Sequence, residues 1–259
     1  MAKKNFWGIL VVFLCTIAPL LGDSRLFYAK LEPLEHYEFK AAVSGVIKEV
    51  KSEKEGSYID DEEVIVRFDD TLERATLAHQ ERMLKSMQER ADALLRSYEL
   101  AERHFRDVQA LSTKSRHQKD SAEIAFFNAK IAYLQALEQL DSLKIERARN
   151  LDTITKKRLV LSRRYLYKIH AKAGEYVSTG APLAEAMDIS GAKITLFLSK
   201  NEAQEVHKKH FYIDGNATKV RIKKLYQVAD SEHISEYRLE LEIPAREFFS
   251  ELVKIEMRD

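Results

Sequence analysis

The sequence predicts an α+β fold, in which a long antiparallel helical hairpin interrupts a small β domain and a second β domain follows. Three observations lead to this prediction. Residues 71–161 contain neither proline nor glycine and are rich in strong helix formers. The segments on either side of this run have the pattern of short strands and resemble one another. Residues 191–259 alternate between apolar and polar side chains, as strands with one buried face do.

The first 22 residues have the composition of an export signal. Lys3 and Lys4 precede an uncharged apolar stretch of 16 residues, and polar residues follow from Asp23. This length lies between the roughly 7–15 apolar residues of a cleaved signal and the roughly 20 that span a bilayer. Residues 1–22 are therefore predicted to be either a signal peptide or an N-terminal membrane anchor. They include the one cysteine, Cys15, so no intrachain disulfide is expected.

Residues 41–70 and 162–190 are predicted to be two halves of one β domain, after a lead-in strand at residues 23–40. Residues 55–59 align with 173–177, which places Gly56 over Gly174, and an apolar run follows each glycine. We expect structural turns at these two glycines and at two more, Gly45 and Gly180. An antiparallel hairpin returns its two ends to the same point, so the halves can close into one domain.

The helical run is predicted to form a coiled coil. In its first half one seam consists of Leu77, Leu84, Ala91, Tyr98 and Phe105, and the other consists of Met87, Leu94, Ala101 and Val108. Only Gln80 interrupts this heptad pattern. The second half is predicted to present a drifting apolar stripe of Ile124, Phe127, Ile131, Leu134, Leu137, Leu140, Ile145, Leu151 and Ile154.

Residues 112–120 are nine consecutive polar residues at the midpoint of the run, where we expect the chain to turn. Two arms of about 40 residues, at about 1.5 Å per residue, would give a hairpin about 60 Å long. The alternative is a single unbroken helix, whose apolar seam would require a partner. In the hairpin, Tyr98, Phe105, Phe127 and Ile131 are predicted to hold the distal half together.

Residues 191–259 are predicted to form a small antiparallel β-barrel domain. Ile194, Leu196 and Leu198 mark one face of a first strand, and residues 202–209 have the pattern of a short helix. Further strands are expected at residues 218–228, 236–243 and 252–257.

These residues resemble the membrane fusion proteins, the HlyD-like and RND-type periplasmic adaptors of efflux pumps and type I secretion systems. Residues 44–47, 56–59 and 68–69, with 174–177, 180–183 and Asp188, are similar to the split biotinyl-lipoyl domain of that family. The order of export signal, half-domain, hairpin, half-domain and barrel segment is also that of the family, and the resemblance covers nearly all of the mature chain. The chain resembles a short form, with the membrane-proximal domain absent or reduced.

The resemblance implies several partners. An adaptor of this family links an inner-membrane transporter, of the RND or ABC type, to an outer-membrane channel similar to TolC. It assembles as a homo-oligomer, a hexameric ring in the expected case, in the periplasm, and is associated with or anchored in the inner membrane. No cofactor is implied.

The hairpin tip is the predicted contact with the outer-membrane channel. Family members often carry Arg, Leu and Ser there, spaced by four and then seven residues. In this sequence, alignment on Ser115 places Val108 and His104 at the other two positions, so only the serine matches. The predicted contact set is His104, Val108, Leu111, Ser112, Lys114, Ser115 and Arg116. The alternative is a merely solvated loop.

Catalytic and metal chemistry finds little support in the sequence. His207 and His210 are three residues apart, but Lys208 and Lys209 would repel a cation. The acidic clusters at residues 60–63 and 69–70 are interpreted as a turn and a helix start. The 42 basic and 41 acidic residues give a net charge of +1, which argues against nucleic-acid binding.

The sequence therefore predicts a non-enzymatic periplasmic adaptor. One alternative is a coiled-coil scaffold of the cell envelope without a transport role. Another is a carrier subunit of an acyl-transfer enzyme. A lipoyl or biotinyl carrier needs an exposed lysine at the turn between its half-motifs, and about 90 residues of helix replace that turn here.

Overall fold

A computed structural model describes residues 25–229 and 232–258. Helices and antiparallel strands are both present, and one long helical hairpin dominates the helical content, in agreement with the predicted fold class. The strands are β1 Arg25–Lys40, β2 Gly45–Val50, β3 Ser57–Ile59, β4 Glu63–Phe68, β5 Arg158–Leu161, β6 Arg164–Ile169, β7 Tyr176–Val177, β8 Pro182–Leu198, β9 His210–Ile213, β10 Asn216–Ala217, β11 Arg221–Leu225, β12 Tyr237–Pro244 and β13 Leu252–Arg258. The α-helices are α1 Thr71–Ala110, α2 Arg116–Lys156 and α3 Lys200–Glu205, and Ser52–Lys54 and Val206–Lys208 are short 3₁₀ helices.

The chain divides into two compact units. One consists of residues 35–188 and contains the hairpin, and the other combines residues 25–34 with the described residues from 189 to the C-terminal end. Strands β1 and β8 contribute residues to both units. The predicted export signal or anchor at residues 1–22 lies outside the described residues.

Helices α1 and α2 form an antiparallel hairpin, which excludes the single unbroken helix. Near the base, Glu81 of α1 pairs with Arg147 of α2 at 3.1 Å, whereas near the tip Lys119 of α2 donates to the carbonyl of Gln109. At about 1.5 Å per residue, the 40 residues of α1 span about 60 Å. Leu111 takes an extended conformation at the end of α1, and Ser115 is the N-cap residue that precedes α2.

The helical run ends earlier than the sequence suggested. Helix α2 stops at Lys156, and residues 158–161, which we predicted to be helical, form strand β5. This strand pairs with β4, and Val160 lies opposite Val64. Its alternating burial, which ends with Leu161 in the core, explains why strand pairing prevails over helix propensity here.

The two β segments on either side of the hairpin pair with each other in a reciprocal way. Strand β2 before the hairpin pairs with β7 after it, and β3 before the hairpin pairs with β6 after it. The backbone N–H of Gly56 donates to Leu166, and that of Gly174 donates to Ile47, each at 2.8 Å. Each half therefore completes the backbone hydrogen bonding of the other.

Gly56 and Gly174 occupy the same place in their respective halves. Their φ angles are +77° and +84°, in the left-handed region where residues with a Cβ are strained. Gly180 also has a positive φ, whereas Gly45 is the first residue of strand β2, where a Cβ atom would come within 3.3 Å of the Phe68 ring.

Both halves contribute to one hydrophobic core. From the segment before the hairpin it includes Ile47, Ile65 and Phe68, and from the segment after it Leu166 and Ala184, all at most 1% exposed. The base of the hairpin thus emerges from a compact β structure that both ends of the hairpin help to build.

The other unit is built on a sheet with the strand order β10-β9-β13-β1-β8-β12-β11. Its core contains Ile194, Leu196 and Leu198, the apolar face predicted for the first strand. The short helix predicted at residues 202–209 begins slightly earlier and ends as a 3₁₀ turn, and Ala203 and Val206 point into the core. None of the helices in the described residues combines the length and the apolar character needed to cross a membrane.

Candidate functional site

The interface between α1 and α2 follows the heptad pattern predicted for α1. The seam positions from Leu77 to Val108 are buried or half-buried, and the positions between them are mostly exposed. The hairpin is therefore a two-helix coiled coil with a continuous α1 seam.

The seam of α2 differs from the predicted stripe. The side chains that face α1 are spaced alternately by four and three residues along the whole helix: Ala122, Phe126, Ala129, Tyr133, Ala136, Leu140, Leu143, Arg147, Asn150 and Ile154. Of the predicted stripe, five members are exposed instead: Ile124, Phe127, Ile131, Leu134 and Ile145. The prediction was wrong because it followed the large aliphatic residues and disregarded alanine, which lets the two helices approach closely at alternate seam positions.

An aromatic cluster holds the distal half of the hairpin together. The ring of Phe126 lies 5.6 Å from that of Tyr98 and 5.3 Å from that of Phe105, and Tyr133 stacks on Tyr98 at 6.1 Å. The predicted roles of Tyr98 and Phe105 agree with this cluster. The ring of Phe127 touches the edge of this cluster, 5.2 Å from the ring of Phe126, but Phe127 is 47% exposed and lies outside the seam. Ile131 does not have the predicted role, since it is 52% exposed.

Two polar residues meet in the proximal seam. The side-chain amide of Asn150 donates to the side-chain oxygen of Gln80 at 3.2 Å and to the carbonyl of Glu73 at 2.9 Å. Gln80, the one residue that interrupts the predicted heptads, is therefore matched by a polar residue in α2. A pair of this kind disfavours slipped alignments, which would leave both amides facing apolar side chains.

A second apolar stripe lies on the outer side of α2. Ile124, Phe127, Ile131 and Leu134 are spaced by three, four and three residues, which places them along one face of the helix, and all four are exposed. Since none of them belongs to the seam with α1, this outer stripe is an apolar face without a partner among residues 25–229 and 232–258.

The tip is a short turn between Ala110 and Arg116. Ser115 caps α2: its hydroxyl accepts from the backbone N–H of Gln118, and the Gln118 side chain accepts from the N–H of Ser115. The serine that matched the family pattern thus has a structural role in this turn.

The predicted channel-contact residues fall into two groups. Val108 is only 7% exposed and packs in the seam between the helices. The remainder are exposed at the tip: His104, Leu111, Ser112, Lys114, Ser115 and Arg116.

A groove of about 380 Å³ lies beside the turn, between the ends of the two helices. His104 and Lys114, both in the predicted contact set, lie along it together with His117. Val108 and Ala122 line it as well, and both are buried seam residues. His117 was not among the predicted contact residues, although its position three residues after Lys114, at the start of a helix, was a signal in the sequence.

At the base of the hairpin, polar groups join the helices to the β segments. The ammonium group of Lys157, a residue that is 8% exposed, donates to the carbonyl of Asp69 at 2.7 Å and to the carboxylate of Glu73 at 2.5 Å. Hydrogen bonds from the hydroxyl and the backbone N–H of Thr71 lower the pKa of the Asp69 carboxyl and help to start α1. The acidic pair at residues 69–70 therefore organises the helix start.

The acidic cluster at residues 60–63 also makes structural contacts, and so do His36 and His170. Lys51 donates to Glu63 at 2.7 Å, and this hydrogen bond lowers the pKa of the Glu63 carboxyl. His170 and His36 donate to opposite oxygens of Glu185, at 2.7 and 3.1 Å. Within residues 25–229 and 232–258, no group of three or more His, Cys, Asp or Glu side chains is arranged to hold a metal ion.

No family model matches the sequence, and no curated protein matches it. Several solved structures do. MacA from Actinobacillus actinomycetemcomitans is 15% identical, with a TM-score of 0.72 over 92% of this chain and 79% of that one. A MacA-MexA chimera that contains the α-hairpin domain of Pseudomonas aeruginosa MexA is 16% identical, with a TM-score of 0.55 over 92% and 81%. The membrane fusion protein Spr0693 from Streptococcus pneumoniae R6 is 10% identical, with a TM-score of 0.54 over 91% and 98%.

At these identities the likeness establishes the fold. This chain has the fold of the membrane fusion proteins, as the order of its sequence motifs predicted. The similarity extends over more than nine-tenths of the chain and includes both the hairpin and the β structure around it.

Proposed function

We propose that this chain is a periplasmic adaptor subunit of a tripartite efflux or type I secretion system. In this proposal it links an inner-membrane transporter, of the RND or ABC type, to a TolC-like outer-membrane channel and catalyses no reaction. The observation that carries the proposal is the hairpin, a stiff spacer of about 60 Å whose two ends are fixed in one β core. A spacer of this kind places its tip far from its base, as a bridge between two partners requires.

The β structure at the base is proposed to be a split lipoyl-like domain. The reciprocal pairing of β2 with β7 and of β3 with β6 supports two related halves. The hairpin occupies the connection where a carrier protein presents its modified lysine. This arrangement favours the adaptor over a carrier subunit of an acyl-transfer enzyme, for which covalent lipoate or biotin would add mass.

The unit that combines residues 25–34 with the described residues from 189 onwards is proposed to be the β-barrel domain of an adaptor. Residues 1–22 are proposed to direct the chain to the periplasm, either as a cleaved signal or as an inner-membrane anchor. The first assignment follows from the resemblance of the sequence to the family, and the second from Lys3, Lys4 and the apolar stretch that follows them.

The outer stripe of α2 supports self-association. Phe127, Ile131 and their two neighbours have coiled-coil spacing but no partner within the described chain. We propose that the same chain covers this stripe in a ring, which in the family would be a hexamer.

The test of self-association compares two variants. Phe127→Asp combined with Ile131→Asp should shift the sedimentation of the purified protein towards the monomer, because two charges would enter an apolar contact. Leu100→Asp, which also places a charge at an exposed apolar position, is the matched control and should leave sedimentation unchanged. If the two variants sediment equally, the outer stripe is not a contact between subunits of the proposed ring.

The test of the adaptor role places a photo-crosslinking amino acid at Ser112 in the tip and, as a control, at Arg96 in the middle of α1. The adaptor role predicts that an outer-membrane channel is crosslinked from Ser112 and that a transporter co-purifies with the complex. Loss of export on deletion of the protein should accompany this result. An envelope scaffold would give neither partner, and deletion would leave export intact.

A further inference from the structure

The groove at the hairpin tip is lined by one lysine and two histidines beside apolar side chains. His104 contributes from α1, Lys114 from the turn and His117 from α2, while Val108 and Ala122 form the floor. The groove exists because the α2 seam carries a small residue, Ala122, at its tip end. Further from the tip, the larger side chains of Phe126 and Tyr133 fill the equivalent space. An apolar floor with charges at its rim suits a side chain that has a short alkyl stem and a charged end.

The groove is lined by hydrogen-bond donors without an acidic side chain among them. In the described part of the chain, neither a hydrogen bond nor an ion pair engages the side chains of His104, Lys114 and His117, and no carboxylate lines the groove. The surrounding sequence is also basic, since residues 103–121 contain five Lys and Arg but two Asp, with Arg106 paired to Glu102. Elsewhere on the hairpin, charged groups are paired along the helices, for example Lys144 with Asp141 and Lys156 with Asp152.

We propose that this groove receives an acidic side chain, a glutamate or an aspartate, from a surface turn of the protein that the tip contacts. The carboxylate would accept hydrogen bonds from the Lys114 ammonium group and from imidazole N–H groups, and its methylene groups would lie on Val108 and Ala122. This inference rests on the proposed adaptor function and names the chemistry of the partner at the tip. It implies that His117 and Lys114, which lie outside the serine-centred family pattern, determine recognition.

The first test uses two short peptides as probes, acetyl-Gly-Glu-Gly-amide and its matched glutamine form. Titration of the full chain, labelled with ¹³C in its histidines, should shift the His104 and His117 resonances with the glutamate peptide only. The double change Lys114→Gln with His117→Asn should weaken this binding at least fivefold, as judged from the His104 resonance. His79→Asn with Lys85→Gln removes the same types of group from exposed positions on α1 and should leave the affinity unchanged.

Three outcomes would overturn the inference. They are equal shifts with both peptides, shifts spread over all histidines, and unchanged affinity in the Lys114→Gln, His117→Asn variant. Circular dichroism at 222 nm on that variant excludes loss of the hairpin as the reason for weaker binding.

The second test separates this inference from the proposed function. The Lys114→Gln, His117→Asn variant should lower the yield of channel crosslinked from Ser112 at least fivefold. An unchanged yield in the variant would leave the adaptor role in place and reject the acid-binding groove. Peptide binding without any crosslinked channel would instead reject the adaptor role and retain the groove.

Discussion

At the scale of single residues, Lys157 shows how one side chain can fix the base of a long hairpin. It follows α2 directly, and its ammonium group reaches across to Asp69 and Glu73 at the start of α1. Its backbone carbonyl accepts from the N–H of Phe68 at 2.9 Å. The residue therefore ties together both helices and the strand that precedes them.

Replacement of this lysine should weaken the hairpin base. Lys157→Met keeps the length of the side chain but leaves the Glu73 carboxylate and the Asp69 carbonyl without their donor. We expect a loss of about 1–3 kcal/mol in the free energy of unfolding, measured by urea denaturation at 222 nm. Lys156→Met is the control, because Lys156 makes only an exposed pair with Asp152, and its effect should stay within about 0.5 kcal/mol. Similar losses in the two variants would contradict the role of Lys157.

Glu185 should make the stability of its unit depend on pH. The hydrogen bond from His170 lowers the pKa of the Glu185 carboxyl below its ordinary value of 4.5, and the hydrogen bond from His36 acts in the same direction. Because the folded state favours the ionised form, this contribution is complete above pH 4.5. It is lost as the pH falls through the lowered pKa.

The corresponding variant is Glu185→Gln. It should have a lower melting temperature than the parent protein at pH 7, and the difference between the two should shrink as the pH is lowered to 3.5. Thermal unfolding monitored at 222 nm measures both effects. Glu38→Gln, at an exposed position of β1, should keep a constant small difference across this range. A gap that stays constant for Glu185→Gln would exclude the proposed linkage.

At the scale of the elements, α2 has two apolar faces in different surroundings. The face that carries alanine and aromatic residues packs on α1, and the outer stripe has no partner within the described chain. The adjacent residues Phe126 and Phe127 lie on different faces, because consecutive positions of a helix are about 100° apart.

These two phenylalanines provide a matched comparison. Phe126→Ala should reduce the free energy of unfolding by about 2–4 kcal/mol, because it removes the ring packed between Tyr98 and Phe105. Phe127→Ala should cost less than about 1 kcal/mol at a protein concentration low enough to keep the chain monomeric, since its side chain is 47% exposed. Urea unfolding followed at 222 nm compares the two. An equal or larger loss for Phe127→Ala would contradict the assignment of the two faces.

At the scale of the whole molecule, the unit of residues 35–188 carries a hairpin whose length and base are separable. The seams of α1 and α2 repeat every seven residues, while the β core depends only on the return of the two helix ends to one point. The hairpin can therefore be shortened by whole heptads without disturbing the base.

Deletion of residues 84–97 and 133–146 removes two heptads from each helix and shortens the hairpin by about 21 Å. We expect a folded protein with less helix by circular dichroism, a cooperative thermal transition, and no export, because the tip no longer reaches its partner. Deletion of residues 84–95 and 135–146 removes a similar length but breaks the seven-residue repeat, and should lower the melting temperature as well. Export by the shorter, folded variant would show that the length of the hairpin does not matter.

The sequence by itself determined the elements that depend on local and periodic signals. The absence of glycine and proline from residues 71–161, the heptads from Leu77 to Val108 and the polar turn near Ser115 were sufficient for the hairpin. The alignment of Gly56 with Gly174 indicated two related halves. These signals are strong because they repeat, or because only a few residue types can adopt the backbone conformation that a given position requires.

The tertiary structure alone decided which apolar side chains are paired and which are free. Large aliphatic residues such as Ile124 and Ile131 dominate the periodicity of α2, yet the face with alanine packs on α1 because small residues allow close approach of the two helices. The structure likewise assigned residues 158–161 to a strand, since their backbone pairs with β4, which is distant in sequence. The groove at the tip also follows from the tertiary structure, because His104 and His117 come together only when the two helices pack in this register. Pairing between distant segments depends on the shapes of the packed side chains and on competition among apolar surfaces. Neither can be inferred from the local order of residues.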